Sequence, residues 1–322
     1  MRPPGAVPSS ATIPIVLHVR VVAPASVATL VVESLREDPT VVHLVVVPGA
    51  AVSCPGDLVM FDLARENANQ VLGDLRAFGV ERDGSISIDE TEVLLSDTAH
   101  AAERRAPGAP ADAVIWDAVQ NRVDAESRLS WSFVVFLTLA ALIASVGRYL
   151  DQPILIVGAV VVGPEFAPVA AICVALATRT WRLLVPATTT LLLGFAIAAA
   201  VTWVAWVVTD LLVDVSTEQA GTGNQTQFII QPDGWSLVVA LLAGIAGILS
   251  LTASKSGTLV GVFISVTTIP AVGTIGLTLA VGLGGEAVSA LAQLGINLAG
   301  LLLSGTLTLL VQRMVWRRVG RV

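Results

Sequence analysis

The sequence predicts an all-α membrane domain of about six transmembrane helices, preceded by a small α+β soluble domain with the ferredoxin-like (βαββαβ) element order. Three observations carry this reading. The chain is 54% hydrophobic and only 13% charged, with a mean hydropathy of +0.80, whereas soluble domains run at about 25% charged residues. Its apolar residues are also unevenly spread: residues 1–130 hold ordinary densities of Asp, Glu and Arg, while 131–316 is a series of long apolar runs. About 20 apolar residues of helix cross the hydrocarbon core. Finally, 13–96 alternates strand-like and helix-like patterns at spacings that suit one small core.

Within 13–96, residues 13–22 alternate, with Ile15, Leu17, Val19 and Val21 on one face and His18 and Arg20 on the other, the pattern of a half-buried strand. Ser26 stands where a helix N-cap belongs, and Leu30, Val31 and Leu35 follow at helical spacing before Pro39. Strands are expected at 41–47, ended by Pro48-Gly49, and at 57–63. A second helix carries Ala68, Val71, Leu72, Leu75 and Phe78 on one stripe and stops at Gly79. A last strand at 85–89 completes the βαββαβ order. His18, Arg20 and His43 are candidates for a small-molecule site on the sheet, set against the plainer reading of solvated sheet positions. A fold of this kind names no activity.

The flanking segments are simpler. Residues 1–12 are rich in Pro, Gly and Ser, read as disordered, and lack the apolar stretch of a cleaved signal peptide. Residues 97–112 read as a flexible linker, broken by Pro107, Gly108 and Pro110. An amphipathic helix with Val114, Ile115, Ala118, Val119 and Val123 on its apolar side then leads into the first span, so that 97–130 is linker plus helix. Residues 317–322 form a basic tail.

Spans are expected near 131–149, 153–177, 181–209, 235–254, 257–281 and 287–312. With the N-terminus inside, the inner flanks hold Arg122, Arg128, Arg179, Arg182, Lys255, Arg313, Arg317, Arg318 and Arg321. The outer segments hold Asp151, Asp210, Asp214, Glu218, Asp233 and Glu286, with Arg148 as their one cation. This asymmetry follows the positive-inside rule and predicts that both termini are cytoplasmic.

The second and fifth spans resemble each other. VGAVVVGPEFAPVAAI starts at Val157 and VGVFISVTTIPAVGTI at Val260, an offset of 103 with identities at Val157/Val260, Gly158/Gly261, Val169/Val272 and Ile172/Ile275. Taken as a repeat, the offset gives two sets of three spans that enter the bilayer from opposite sides: a 3+3 inverted repeat with interrupted helices. The interruptions are Gly163, Pro164 and Glu165 with Pro168 in one half, and Thr267 and Thr268 with Pro270 in the other. Glu165 is the sharpest candidate, since a carboxylate at the centre of a span costs at least about 2.5 kcal/mol unless protein or water compensates it. The competing reading is structural, a carboxyl group that caps the half-helix behind Pro164. Ser265, Gln293 and Asn297 add polar atoms, and the last two share a helix face at i and i+4.

No nucleotide-binding, metalloprotease or nucleophile motif is present. The two cysteines, Cys54 and Cys173, make neither a metal spacing nor a disulfide framework. No catalytic residue, cofactor, metal or nucleic-acid partner is therefore expected.

Several stretches resemble a bacterial family known as domain of unknown function 389: 156–172, 244–280 and QLGINLAG at 293–300. Residues 55–80 are similar to the soluble domain of its actinobacterial members. The resemblance implies a protein of the bacterial inner membrane and supplies no activity. From the residues, the preferred reading is a permeation protein, carrier or channel, for a small solute or ion. Glu165 is its candidate coupling group, and the soluble domain regulates it or assembles it as a homo-oligomer. The alternative is a membrane-anchored sensor or scaffold whose soluble domain binds a ligand or partner.

Overall fold

The computed structural model describes residues 16–91, 94–106, 108, 113–222, 225–229, 234–252 and 268–319. Two compact units emerge, one formed by the chain up to Trp116 together with the segment from Trp316, the other by Asp117–Val315.

The first unit is built on a four-stranded antiparallel sheet in the order β2-β3-β1-β4. Its elements are β1 (Val16–Ala23), α1 (Ala25–Glu37), β2 (Val41–Ala51), β3 (Gly56–Ala64), α2 (Ala68–Ala77), the one-turn α3 (Val80–Asp83) and β4 (Ser85–Glu90). Leu17, Val19 and Val21 of β1 face the same core as Val59, Phe61 and Leu63 of β3, and that core includes Val31 and Leu35 of α1 and Val71, Leu72 and Leu75 of α2. The period-two pattern thus marks the buried face correctly. Pro24 stands at the N-cap of α1, which puts Ser26 inside the first turn. The residue lost the cap because Pro24, with φ fixed near its helix-compatible value, already ends the extended backbone. Beyond α2, Gly79 adopts φ +80°, the left-handed turn that ends helices at glycine. β2 runs on past Pro48-Gly49 to Ala51, with register breaks between Val42 and Val45 and between Val47 and Ala51. Those bulges absorb the proline and glycine without ending the strand.

Residues 97–105, expected to be linker, form helix α4 (Asp97–Arg105). Ser96 caps it by accepting from the Ala99 N–H, and Ala99 and Ala102 are fully buried. Its packing face is made of alanines, which small size hides from an apolar pattern. Ile115 also joins the core. Arg65 donates to the Ala113 carbonyl, and Asn69 donates to the Val114 carbonyl and accepts from the Trp116 N–H. The segment around 113–116 is therefore docked, and helix α5 (Trp116–Glu126) follows with Val119 and Val123 buried.

The second unit is helical: α6 (Trp131–Tyr149), α7 (Pro153–Val162), α8 (Phe166–Thr178), α9 (Trp181–Val213), the short α10 (Thr217–Gly221), α11 (Gly234–Thr252), α12 (Ile269–Ala280) and α13 (Gly284–Val319). Among the described residues, α6, α9, α11 and α13 are long and apolar enough to cross a membrane. α7 and α8 meet at a 60° bend and count as a fifth span if taken together. The remaining expected span, 257–281, is described only from Thr268 onward and contains the short apolar α12. At 1.5 Å per residue, a 33-residue helix is about 50 Å long, so α9 exceeds a hydrocarbon core of about 30 Å. Trp131, Trp181 and Trp235 are each more than half exposed at helix starts, where indole rings favour the interface.

The helices recur at one spacing. α11 begins and ends 103 residues after α6; α12 begins 103 residues after α8; α13 begins 103 residues after α9.

Candidate functional site

The site is built where the broken span restarts. Gly163 ends α7 and Glu165 stands at the N-cap of α8, with Pro164 between them. A helix cannot run through Gly-Pro cheaply: proline removes an N–H and clashes with the preceding turn. Pro168 lies in the first turn of α8, where an N–H has no helical acceptor and its loss costs little. In the other half Thr268 stands at the N-cap of α12, and Pro270 occupies the first turn.

Glu165 is fully buried. Its side chain makes no capping bond to its own helix. Instead Oε1 accepts a 2.9 Å hydrogen bond from the Thr268 hydroxyl, 103 residues away. The two N-cap residues at repeat-equivalent positions are thus bonded to each other. The N-termini of α8 and α12, each with about half a positive charge from aligned peptide dipoles, converge on one carboxyl group.

Packing around this pair follows the same equivalence. A Cβ built on Gly276 would come within 2.7 Å of Cβ and Cγ2 of Thr202, and one built on Gly305 within 2.9 Å of the Cys173 sulfur. Shifting Cys173 and Thr202 by 103 gives Gly276 and Gly305, so the α12–α9 contact and the α8–α13 contact are the same contact made twice. Arg313 also donates to the Ala177 carbonyl, so α8 and α13 run parallel. Counting eight residues back from Cys173 and from Gly305 reaches Glu165 and Asn297, which therefore stand at one height. Asn297 is fully buried. Gln293, one turn further along α13, is 3% exposed, and its Oε1 has no hydrogen-bond partner among the described residues. Ser265 and Thr267 lie outside the described residues.

Two clusters were not legible in the sequence. In the first unit the Asp62 carboxylate accepts from both histidines: His18 Nδ1 at 2.8 Å and His43 Nδ1 at 2.7 Å. The far nitrogen of His43 meets the Thr98 hydroxyl at 2.9 Å and the Ser96 hydroxyl at 3.1 Å. The candidate residues His18 and His43 are therefore brought together, whereas among the described residues no hydrogen bond or ion pair joins Arg20 to them. In the second unit Arg148, fully buried, donates to the Thr226 hydroxyl at 2.8 Å and the Gly221 carbonyl at 3.0 Å. Its sequence neighbour Asp151 accepts from the Gln225 and Thr226 N–H groups and from the Thr226 hydroxyl. Among the described residues no group of three or more His, Cys, Asp or Glu side chains has metal-binding geometry.

These features, several long apolar helices and a bent helix pair with a buried carboxyl group at its break, are those of a multi-pass helical membrane protein. Residues 160–303 match the family described as "Domain of unknown function (DUF389)". The match contains both N-cap residues of the site. The chain is also 26% identical over 178 residues to an uncharacterized protein of Methanocaldococcus jannaschii, a match covering 55% of this chain and 53% of that one. This chain thus spans about half the length of that relative. No solved structure matches.

Proposed function

We propose that the membrane unit is a permeation protein, carrier or channel, for a small solute or ion, with Glu165 as its proton- or cation-coupling group. The observation that carries this is the hydrogen bond between Glu165 and its repeat counterpart Thr268 at the meeting point of two half-helices. A membrane anchor needs neither broken helices nor a buried carboxyl group at that depth, and secondary transporters use both to build a midplane site. The constant 103-residue spacing supports six spans in a 3+3 inverted repeat. The charge asymmetry supports cytoplasmic termini in a bacterial plasma membrane. The order β2-β3-β1-β4, all antiparallel, supports a ferredoxin-like soluble domain, here read as regulating the membrane unit or assembling a homo-oligomer. Gln293 and Asn297, both buried, are further pathway candidates.

Purified protein in liposomes loaded with a pH-sensitive dye tests the coupling. An imposed potential should drive proton or cation flux through the wild type, and Glu165→Gln, which keeps shape and removes charge, should abolish the flux or its pH dependence. Equal flux through both proteins would remove Glu165 from the mechanism.

The sensor reading has one observation of its own, the Asp62 carboxylate shared by His18 and His43 and bridged to the start of α4. A ligand that engages these histidines would act on α4 directly.

A further inference from the structure

The end of the membrane unit that holds Arg148 is covered by residues 215–222 and 225–229, between α9 and α11. Val215 and Ala220 pack with Trp206 and with Leu277 of α12, and Tyr149, Ala280 and Leu283 border the same cluster. α12 is the half-helix that starts at Thr268, so this segment lies over the far end of the helix leading away from Glu165. Among its described residues Val215, Ala220 and Ile229 are the buried hydrophobic side chains. Polar bonds also hold it: Arg148 donates to Thr226 and Gly221, Asp151 accepts from Gln225 and Thr226, and Tyr149 Oη accepts from the Ser216 N–H. Glu286, at the start of α13, lies against Gly221 as well, since a Cβ there would meet its Oε1 at 2.9 Å. Asp151 and Glu286 are the acidic groups whose charge reaches Arg148.

A closure meant to be permanent would be built from apolar contacts, because a buried ion pair recovers little beyond its own desolvation cost. A closure made of charged groups opens more cheaply, since every group it releases is hydrated on release. Arg148 is already incompletely satisfied, its Nε having no hydrogen-bond partner among the described residues. The other half of the repeat lacks the device. The counterparts of Arg148, Glu286 and Thr226 are Leu251, Leu183 and Val123.

We propose that residues 215–222 and 225–229 are the outer gate of the permeation route, latched shut by Arg148 and Asp151. The inference rests on the permeation reading and on the charge-based orientation. The probe is a cysteine at Leu277, beneath the gate and fully buried, in a chain carrying Cys54→Ser and Cys173→Ser. Right-side-out vesicles are treated with a membrane-impermeant maleimide. With the latch intact, Leu277→Cys should resist labelling. Adding Thr226→Val, which removes the bridging hydroxyl and keeps the shape, should raise the labelling rate at least tenfold, and Arg148→Gln should raise it further. Ala220→Cys, on the gate itself, reports the same opening if Leu277→Cys does not fold. An unchanged rate in Thr226→Val, or labelling from the inner face instead, overturns the proposal. Flux loss in Glu165→Gln alongside an unchanged labelling rate would leave the permeation reading standing and remove only the gate.

Discussion

Glu165 and Thr268 occupy the same position in the two halves of the membrane unit and are hydrogen-bonded to each other. In a two-fold arrangement residue i of one half contacts residue j of the other, and the reverse contact exists as well. A residue that touches its own counterpart must lie on the axis. The paired contacts Cys173–Gly305 and Thr202–Gly276 obey the same rule away from the axis. On the proposed reading, in which each half holds three spans, the axis runs in the membrane plane and passes through Glu165.

A carboxyl group on the axis should work from either half. Thr268→Glu alone places two carboxyl groups in contact, with a cost of at least about 2.5 kcal/mol for each uncompensated charge, and should lower the melting temperature in detergent. Glu165→Thr alone should fold and lose the coupled flux. The exchange Glu165→Thr with Thr268→Glu should recover most of the lost stability and some flux. A double variant no more stable than Thr268→Glu would place the pair off any axis.

The glycine contacts give a second check. Gly276→Ala drives a methyl group into Thr202, and overpacking of this kind costs about 1–3 kcal/mol. Thr202→Ala removes Cγ2 but keeps the Cβ at 2.7 Å, and the Ala199 carbonyl oxygen stays at 2.9 Å, so it should relieve only part of the cost. At the equivalent place Gly305→Ala should be relieved by Cys173→Ala. Thermal unfolding of the four single and two double variants measures both, and the rescue at Gly305, where the nearest clashing atom is removed, should be the larger. Rescue at one place only would mean that the halves pack differently.

Much of this was legible in the sequence. The strand periodicities give the buried face of the sheet, and four identities at an offset of 103 mark a spacing that α6, α8 and α9 then share with α11, α12 and α13. What escaped was long-range pairing. Asp62 is 44 residues from His18 and 19 from His43, and only the β1–β3 register opposes His18 to it. Arg148 lies three residues from Asp151, which suggests a local pair; both instead reach the segment around Thr226. α4 was missed because Ala99 and Ala102 bury well while carrying almost no apolar signal.

Helix α4 and the docked residues 113–116 change what the first unit needs in order to fold. A fragment of residues 12–96 holds all four strands and α1 and α2, yet it lacks Ala99, Ala102 and Ile115, all buried. It also leaves Arg65, only 5% exposed, without the Ala113 carbonyl. A buried donor that loses its acceptor costs about 1–3 kcal/mol. Residues 12–116 should therefore melt cooperatively and several degrees higher than 12–96. Equal melting temperatures would return 97–116 to the status of a linker.

Glu66 is 8% exposed and has no hydrogen-bond partner for either carboxylate oxygen among the described residues. Burial pushes its pKa from 4.5 up to about 7, and the negative charge of Glu103 adds to the rise. The folded unit therefore holds a proton between pH 4.5 and 7 that the unfolded chain releases. Stability from this group is complete below pH 4.5, falls as pH rises towards 7, and is level above it. At 1.36 kcal/mol per unit the shift corresponds to at most about 3 kcal/mol. Solvent reaches part of the side chain, so about 1–2 kcal/mol is the size expected. Glu66→Gln carries no proton to lose, so the 12–116 fragment bearing it should gain on the wild type steadily from pH 4.5 to 7. Denaturant melts at intervals across that range measure the difference, which cancels the other titrating groups common to both proteins. A difference that does not change with pH would mean that Glu66 is ionised in the folded unit and that water reaches it.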